Sequence, residues 1–449
     1  MHVQGALPEL LIPASSLETL KVAVHYGADA VYLGGEAFSL RAKAINFTQD
    51  EMQKGVAFAH EHGVKVYVTV NILAHNDDLE EADAYLSFLA QLAPDALLIA
   101  DPGLFMRAKK ICPRIPVHIS TQANNVNYET FLFWHSLGAE RVVCGRELSL
   151  AEIRQIRTRI PDSLEIEAFV HGAMCISYSG RCLLSNFFTG RDANRGACTH
   201  PCRWQYHVFD HTSGTEPEDE AGTKGFADSE SGEEILAYIE EESRPGEYLP
   251  VYENERGTFL FNSKDLCMIE HIPDMVDAGI DSLKIEGRMK NALYVATTAR
   301  TYRKALDDLA RGREVYEVHM DWYRKQIRDC TFRPFTTGFF YGKPGTDAQI
   351  YDSNTYEKTS TYLGCVQDVL QIEGNRYIEI IQKNKFSVGE KVQLMHADGS
   401  DTEFAVEEIL DEDRNRVQSA PHPQQKLYIR VKAEADRYDI VRRRDVPIS

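Results

Sequence analysis

Four cysteines, Cys175, Cys182, Cys198 and Cys202, form a C-x6-C-x15-C-x3-C array within EAFVHGAMCISYSGRCLLSNFFTGRDANRGACTHPCRW. Thiolates gathered at short spacing are what a zinc ion or an iron–sulfur cluster needs. The paired C-x2-C knuckles of zinc ribbons and fingers are missing, and irregular gaps between single thiolates suit a cluster held between loops. A disulfide framework fits less well. Nine cysteines in 449 residues are sparse and odd in number, and no apolar signal-peptide stretch follows Met1. A reducing, cytoplasmic setting is expected. Cys267, in SKDLC, is the rival for the fourth ligand, while Cys112, Cys144 and Cys365 read as small buried hydrophobes.

The elements that must position these thiols repeat one pattern over the first 290 residues: a short β-rich apolar run, a polar turn, then a stretch with helical periodicity. The runs are ELLIPA (9–14), DAVYLG (29–34), VKVYVTV (64–70), DALLIA (95–100), PVHIS (116–120), RVVC (141–144), LEIEAFV (164–170) and DSLKIEG (281–287). Eight such units point to a TIM-like (β/α)8 barrel, an α/β fold. An open doubly wound sheet is the alternative, but no G-x-G-x-x-G follows the first run. The first helix candidate, SLETLKVAVHYG, has Ser15 or Ser16 as its cap, Glu18 near the third position and Gly27 at its end.

In a barrel the residues just after each strand share one mouth, where the chemistry lies. Those residues include Glu36, Ser39 and Arg41 after strand two, Asn71 and His75 after strand three, Asp101 after strand four, and Thr121, Gln122 and Asn124 after strand five. Strand six delivers Arg146 and Glu147, strand seven His171 with the cysteines, and strand eight Glu286 and Arg288. His171, Glu286, Gln122 and Asn71 are the candidate catalytic groups. Arg41, Arg146, Arg181 and Arg288 can each fork onto a carboxylate, so a small polyanionic substrate is expected.

The segment from about 205 to 260, rich in Gly, Glu, Asp and Ser, breaks the alternation and reads as an acidic insertion with a mobile tip, leading to the helix-prone SKDLCMIEHIPDMVDAG at 263–279. After the helical stretch 291–312, short alternating runs bounded by Gly, Asn and Asp predict a small C-terminal β-barrel domain, giving domains 1–335 and 336–449. A net charge of −19 and pI near 5.3 argue against non-specific binding to nucleic acid or to an anionic membrane. No apolar run reaches the roughly 18 residues of a membrane span. The candidate for a local basic surface is the RRR at 442–444 with Arg300, Arg303, Lys304, Arg311 and Arg313.

Three segments carry a family resemblance: ELLIPASSLETLKVAVHYGADAVYLGG near the start, EAFVHGAMCISYSGRCLLSNF at 167–187 and SLKIEGR at 282–288. They resemble the U32 peptidase-like family, once described as collagenase-like proteases. The length, the CTHPCRW element and the C-terminal domain look most similar to members that hydroxylate wobble uridine in tRNA. The resemblance implies a 4Fe–4S cluster on Cys175, Cys182, Cys198 and Cys202, prephenate as the source of the hydroxyl oxygen, and the tRNA anticodon loop as partner. Family members differ in where the fourth cysteine comes from, which keeps Cys267 in contention.

Proteolysis is the competing expectation, and the residues serve it poorly. The chain has no H-E-x-x-H and no G-x-S-x-G. A Cys175–His171 pair would leave three further thiols crowding a nucleophile without a task. A non-catalytic RNA-binding module would leave the polar mouth idle.

Overall fold

The computed structural model describes residues 7–36, 38, 46–174, 185, 189, 198–199, 206–210, 235–241, 248–252, 264–342 and 357–445. Strands β1 (Glu9–Pro13), β2 (Ala30–Leu33), β3 (Lys65–Val70), β4 (Ala96–Ile99), β5 (Val117–Ile119), β6 (Arg141–Val143) and β7 (Glu165–Ala173) pair in parallel, each with the next. After β8 (Tyr206–Asp210), β9 (Ile235–Glu241), β10 (Tyr248–Tyr252) and β11 (Asp265–Cys267), strand β12 (Ser282–Ile285) pairs in parallel with both β7 and β1. That double pairing closes an eight-stranded barrel.

Helices α1 (Leu17–His25), α2 (Gln49–Glu61), α3 (Asn76–Leu92), α4 (Pro102–Ile111), α5 (Tyr128–Ser136), α6 (Leu150–Arg157), α7 (Ile272–Asp277) and α8 (Ala292–Arg311) alternate with the barrel strands. Their starts follow from their caps. Ser16 accepts from the Thr19 amide, with Thr19 rather than Glu18 completing the capping box; Thr48 with Glu51 and Ser149 with Glu152 repeat the device. Glu18 is instead used across the fold, meeting the Tyr362 hydroxyl at 3.0 Å and Lys383 at 3.1 Å. Among the described residues no helix is long and apolar enough to cross a membrane.

The acidic insertion holds a three-stranded antiparallel sheet, β10-β9-β8. The tip expected to be mobile lies outside the described residues. The helix-prone 263–279 stretch divides instead: β11 runs antiparallel to β7 and parallel to Phe335–Thr336, and only Ile272–Asp277 is helical. Asp265 anchors that strand, since its carboxylate takes the buried Arg333 guanidinium at 2.8 and 3.1 Å.

From Ser360 to Arg444 an eight-stranded antiparallel sheet carries its own core of Leu363, Val366, Ile378, Ile380, Leu394 and Ile429. It packs on the barrel helices. The Tyr26 hydroxyl at the end of α1 accepts from the Ile440 amide at 3.1 Å and donates to the Met395 carbonyl. Asp439 holds His25 at 3.2 Å and His396 at 2.8 Å.

This seam corrects the expectation of a basic surface. Arg300 is buried and spends its guanidinium on Asp401 at 2.9 Å and on the His396 and Ser400 carbonyls. Arg442, also buried, meets Asp401 at 2.8 Å and Asp329 at 3.3 Å, and Arg444 meets Asp329 at 2.6 Å. Arg303 and Lys304 pair with Asp29 and Asp308. Arg300, Arg442 and Arg444 are consumed in joining the two halves of the protein, because a buried guanidinium must be paired and hydrogen-bonded, while Arg303 and Lys304 are paired within the barrel half. The sequence run shows charge but not its partners.

Candidate functional site

Two arginines follow the strands that flank β7, namely β12 and β6. Arg288 follows β12, and its buried guanidinium crosses to β3, donating from Nη1 to Thr69 Oγ1 at 2.8 Å and from Nη2 to Asn46 Oδ1 at 3.4 Å. Arg146 follows β6, lies 4.0 Å above the Phe169 ring and donates to the Ala173 carbonyl at 2.6 Å. Phe169 stacking and the carbonyl fix the guanidinium plane, which suits an arginine that presents a bidentate edge. Beside it a small pocket is lined by Cys144, Phe169, Met174, Leu266 and Phe339. Met174 directly precedes Cys175, so the pocket adjoins the start of the cysteine array.

Two glycines allow the exits of β7 and β12 to touch. Gly172 has φ +110°, and a Cβ there would lie 2.6 Å from the Glu286 carbonyl oxygen; Gly287 has φ +153°, and a Cβ there would lie 2.5 Å from Tyr294 Cε1. A side chain at Gly172 would therefore separate the two exits, and one at Gly287 would displace the Tyr294 ring. Tyr294 seals the approach by donating to the Glu286 carbonyl at 2.7 Å. Glu286 itself is half-buried, and its amide donates to the His171 carbonyl at 2.8 Å. On the far side Asn71 Nδ2 lies 3.5 Å from Ser120 Oγ, which also accepts from the Gln122 amide at 3.3 Å.

His171 is not brought to the mouth. Strict alternation from Glu167 and Phe169, both inward, would face it inward too. The register slips between Lys284 and Ile285, so Lys284 pairs with Phe169 but Ile285 with His171. That bulge turns His171 outward. Its ring lies among Tyr294, Tyr302 and Phe335, at 6.0, 5.7 and 5.7 Å. Burial holds it neutral by pushing its pKa down to about 4. A histidine so placed packs; it does not reach a substrate in the mouth.

Arg41, Arg181, Cys175, Cys182 and Cys202 lie outside the described residues. Cys198 is half-buried, and the Thr199 amide after it donates to Ser185 Oγ at 3.0 Å. Cys267 sits in β11 opposite His171, with Sγ 4.0 Å from the Tyr302 hydroxyl. Burial pushes its thiol up to about 12, which disfavours the thiolate that a metal needs. Cys112, Cys144 and Cys365 are buried.

Below the mouth the barrel interior is charged. Arg141 meets Glu9 at 2.6 Å, Glu165 at 2.6 Å and Glu167 at 3.1 Å, and Lys284 Nζ meets Glu167 at 2.6 Å. Lys284 also sits 4.4 Å above the Tyr32 ring and 5.4 Å from that of Phe169, the ring that Arg146 covers. Burial lowers the Lys284 pKa against the pull of Glu167; Glu9, which burial would raise, ends below the usual carboxylate range because Arg141 outweighs it. This cluster escaped the sequence reading, which looked only past strand ends. Its signal was available as the charged residues Glu9, Arg141, Glu165, Glu167 and Lys284 within the otherwise apolar runs of β1, β6, β7 and β12.

Comparison with known proteins follows the same division of the chain. The family model for peptidase family U32 matches residues 15–350, and that for the U32 C-terminal domain matches residues 358–442. A tRNA hydroxylation protein of Bacillus subtilis is 38% identical over 418 residues, covering 93% of this chain and 90% of that one. Another of Escherichia coli is 40% identical over 412 residues, covering 88% and 87%. A 23S rRNA 5-hydroxycytidine synthase of Escherichia coli is 32% identical over 360 residues, covering 79% of this chain and 48% of the synthase. A closed parallel barrel, an antiparallel C-terminal sheet and two family models that together span most of the sequence agree: the chain belongs to peptidase family U32.

Proposed function

We propose that this protein hydroxylates the wobble uridine of tRNA, with prephenate as the source of the hydroxyl oxygen and a 4Fe–4S cluster held by Cys175, Cys182, Cys198 and Cys202. The single observation that carries the reading is that Arg146 and Arg288 follow the two barrel strands flanking β7, with Arg146 lining a pocket beside Met174, the residue before the cysteine array. Two oriented guanidiniums suit a small dicarboxylate such as prephenate. Relatives matched over most of their length are tRNA hydroxylation proteins, which supports RNA as the second substrate.

Replacing the C5–H of uracil by C5–OH removes two electrons from the ring, which an external two-electron acceptor must take up; the bound cluster would supply a one-electron relay toward it or Lewis-acid capacity. The protein's own groups bind and orient. Arg146 and Arg288 hold carboxylates, Asn71, Gln122 and Glu286 offer neutral and acidic contacts at the rim, and the mouth accepts a base everted from the anticodon stack. The donor set fits such a cluster by its spacing along the sequence, whereas burial in β11 disfavours the Cys267 thiolate. Action on tRNA fits a cytoplasmic setting. A peptidase reading would call on His171 as base, and that ring is turned toward Tyr302 and Tyr294.

Protein purified under argon, incubated with unmodified tRNA and a soluble two-electron acceptor, should add one oxygen to a wobble uridine when prephenate is present and none when it is omitted. Equal modification with and without prephenate would remove it as the donor.

A further inference from the structure

Strand β3 reads KVYVTV, and its valines at 66, 68 and 70 are buried. Thr69 interrupts that run. Valine has the shape of threonine, so a side chain that only packed here would need no hydroxyl, and a buried hydroxyl costs free energy unless its hydrogen bonds are made. Thr69 is buried, and both of its roles are taken. Its proton goes to the carbonyl of Leu33, the last residue of the neighbouring β2, at 3.1 Å, and its oxygen accepts from Arg288 Nη1 at 2.8 Å. The direction is forced, because a guanidinium only donates.

The contact reaches far. Arg288 follows β12, and β1 and β2 lie between β12 and β3 around the barrel, so its side chain bridges strands that do not pair with each other. A side chain that long has several rotatable bonds, and ordering them opposes binding unless the protein has already done it. Thr69 fixes the far end, with Asn46 Oδ1 a weaker hold on Nη2 at 3.4 Å. The kind of acceptor matters as well. Carboxylates take Arg141, Arg300 and Arg333 elsewhere in the chain, and each offsets the charge that it holds. A carboxylate at position 69 would hold Arg288 and compete with an anionic ligand for it. A hydroxyl holds without competing.

Resting on the reading of Arg288 as a carboxylate-binding arginine, we propose that Thr69 is its positioning residue: the hydroxyl, oriented by the Leu33 carbonyl, keeps Arg288 in the conformation that receives a carboxylate of the substrate. Prephenate binding to full-length protein purified under argon is read by ligand-observed NMR, which follows weak affinities. Thr69→Val keeps the shape and removes the hydroxyl, and it should weaken binding about tenfold, the equivalent of one lost hydrogen bond. Thr69→Ser keeps the hydroxyl and should bind within about twofold of the wild type. In an Arg288→Ala background Thr69→Val should add no further loss, because Thr69 acts through the arginine, whereas a merely structural threonine would weaken binding in both backgrounds. Thr69→Val binding like the wild type would overturn the assignment. So would Thr69→Ser losing as much as Thr69→Val, or a second loss in the Arg288→Ala background. A wild type that does not bind prephenate would overturn the prephenate reading itself, and this inference with it.

Discussion

Glu167→Gln strands a lysine inside the barrel. Glu167 is fully buried and takes Lys284 at 2.6 Å and Arg141 at 3.1 Å. Arg141 keeps Glu9 and Glu165, both at 2.6 Å, so its charge stays compensated. Lys284 loses its short carboxylate contact and retains the Tyr32 ring at 4.4 Å. Breaking one partner out of a buried pair costs roughly 3–5 kcal/mol. The lower end applies here, because Lys284 already has a lowered pKa and can shed its proton instead of remaining charged. Adding Lys284→Met removes the stranded group, and the double variant should recover most of the loss. Thermal unfolding followed by calorimetry reads the difference: Glu167→Gln should lower the midpoint by several degrees, and Glu167→Gln with Lys284→Met should regain more than half of that shift. A single variant as stable as the wild type, or a double variant less stable than the single, would refute the view of Glu167 as the counter-ion of a buried lysine.

Other expectations follow from the same geometry. His171 has a folded pKa of about 4 against 6.5 ordinarily, so the unfolded chain takes up a proton that the folded protein refuses as pH falls from 6.5 to 4. Its share of stability is intact above that window and falls by about 3 kcal/mol across it, and His171→Phe should flatten the acid limb of a denaturation-versus-pH curve; an unchanged limb would contradict the buried neutral histidine. Arg288→Ala should weaken prephenate binding by roughly 2–4 kcal/mol in titration calorimetry, through loss of a carboxylate fork, while leaving iron content unchanged. Iron analysis of anaerobically purified variants separates the fourth ligands: Cys202→Ala should lose iron and Cys267→Ala should keep it, and the reverse result would exchange their roles.

Much of the barrel was legible because its signal is local. Each apolar run from ELLIPA to DSLKIEG became a barrel strand within a residue or three of its expected limits, since closing a parallel sheet buries both faces of every strand. Arg146, Arg288, Asn71 and Glu286 follow strand ends, a position that periodicity alone provides. What the sequence could not show depended on partners distant along the chain. His171 was displaced by a register slip opposite Lys284 and Ile285, which no pattern within β7 announces. Arg300 and Arg442 read as a basic surface until Asp401 and Asp329 arrived from the other half of the protein. SKDLC read as helix because its strand pairing with β7 and with Phe335–Thr336 is long-range.

Hydroxylation of the wobble uridine is tested most directly by mass spectrometry of nucleosides from digested tRNA, comparing a strain lacking this gene, the same strain restored with it, and one restored with Cys182→Ala. The account predicts that 5-hydroxyuridine-derived nucleosides disappear on deletion, return with the wild-type gene and stay absent with Cys182→Ala. In a host with no second enzyme for the modification, nucleosides unchanged by the deletion would contradict it.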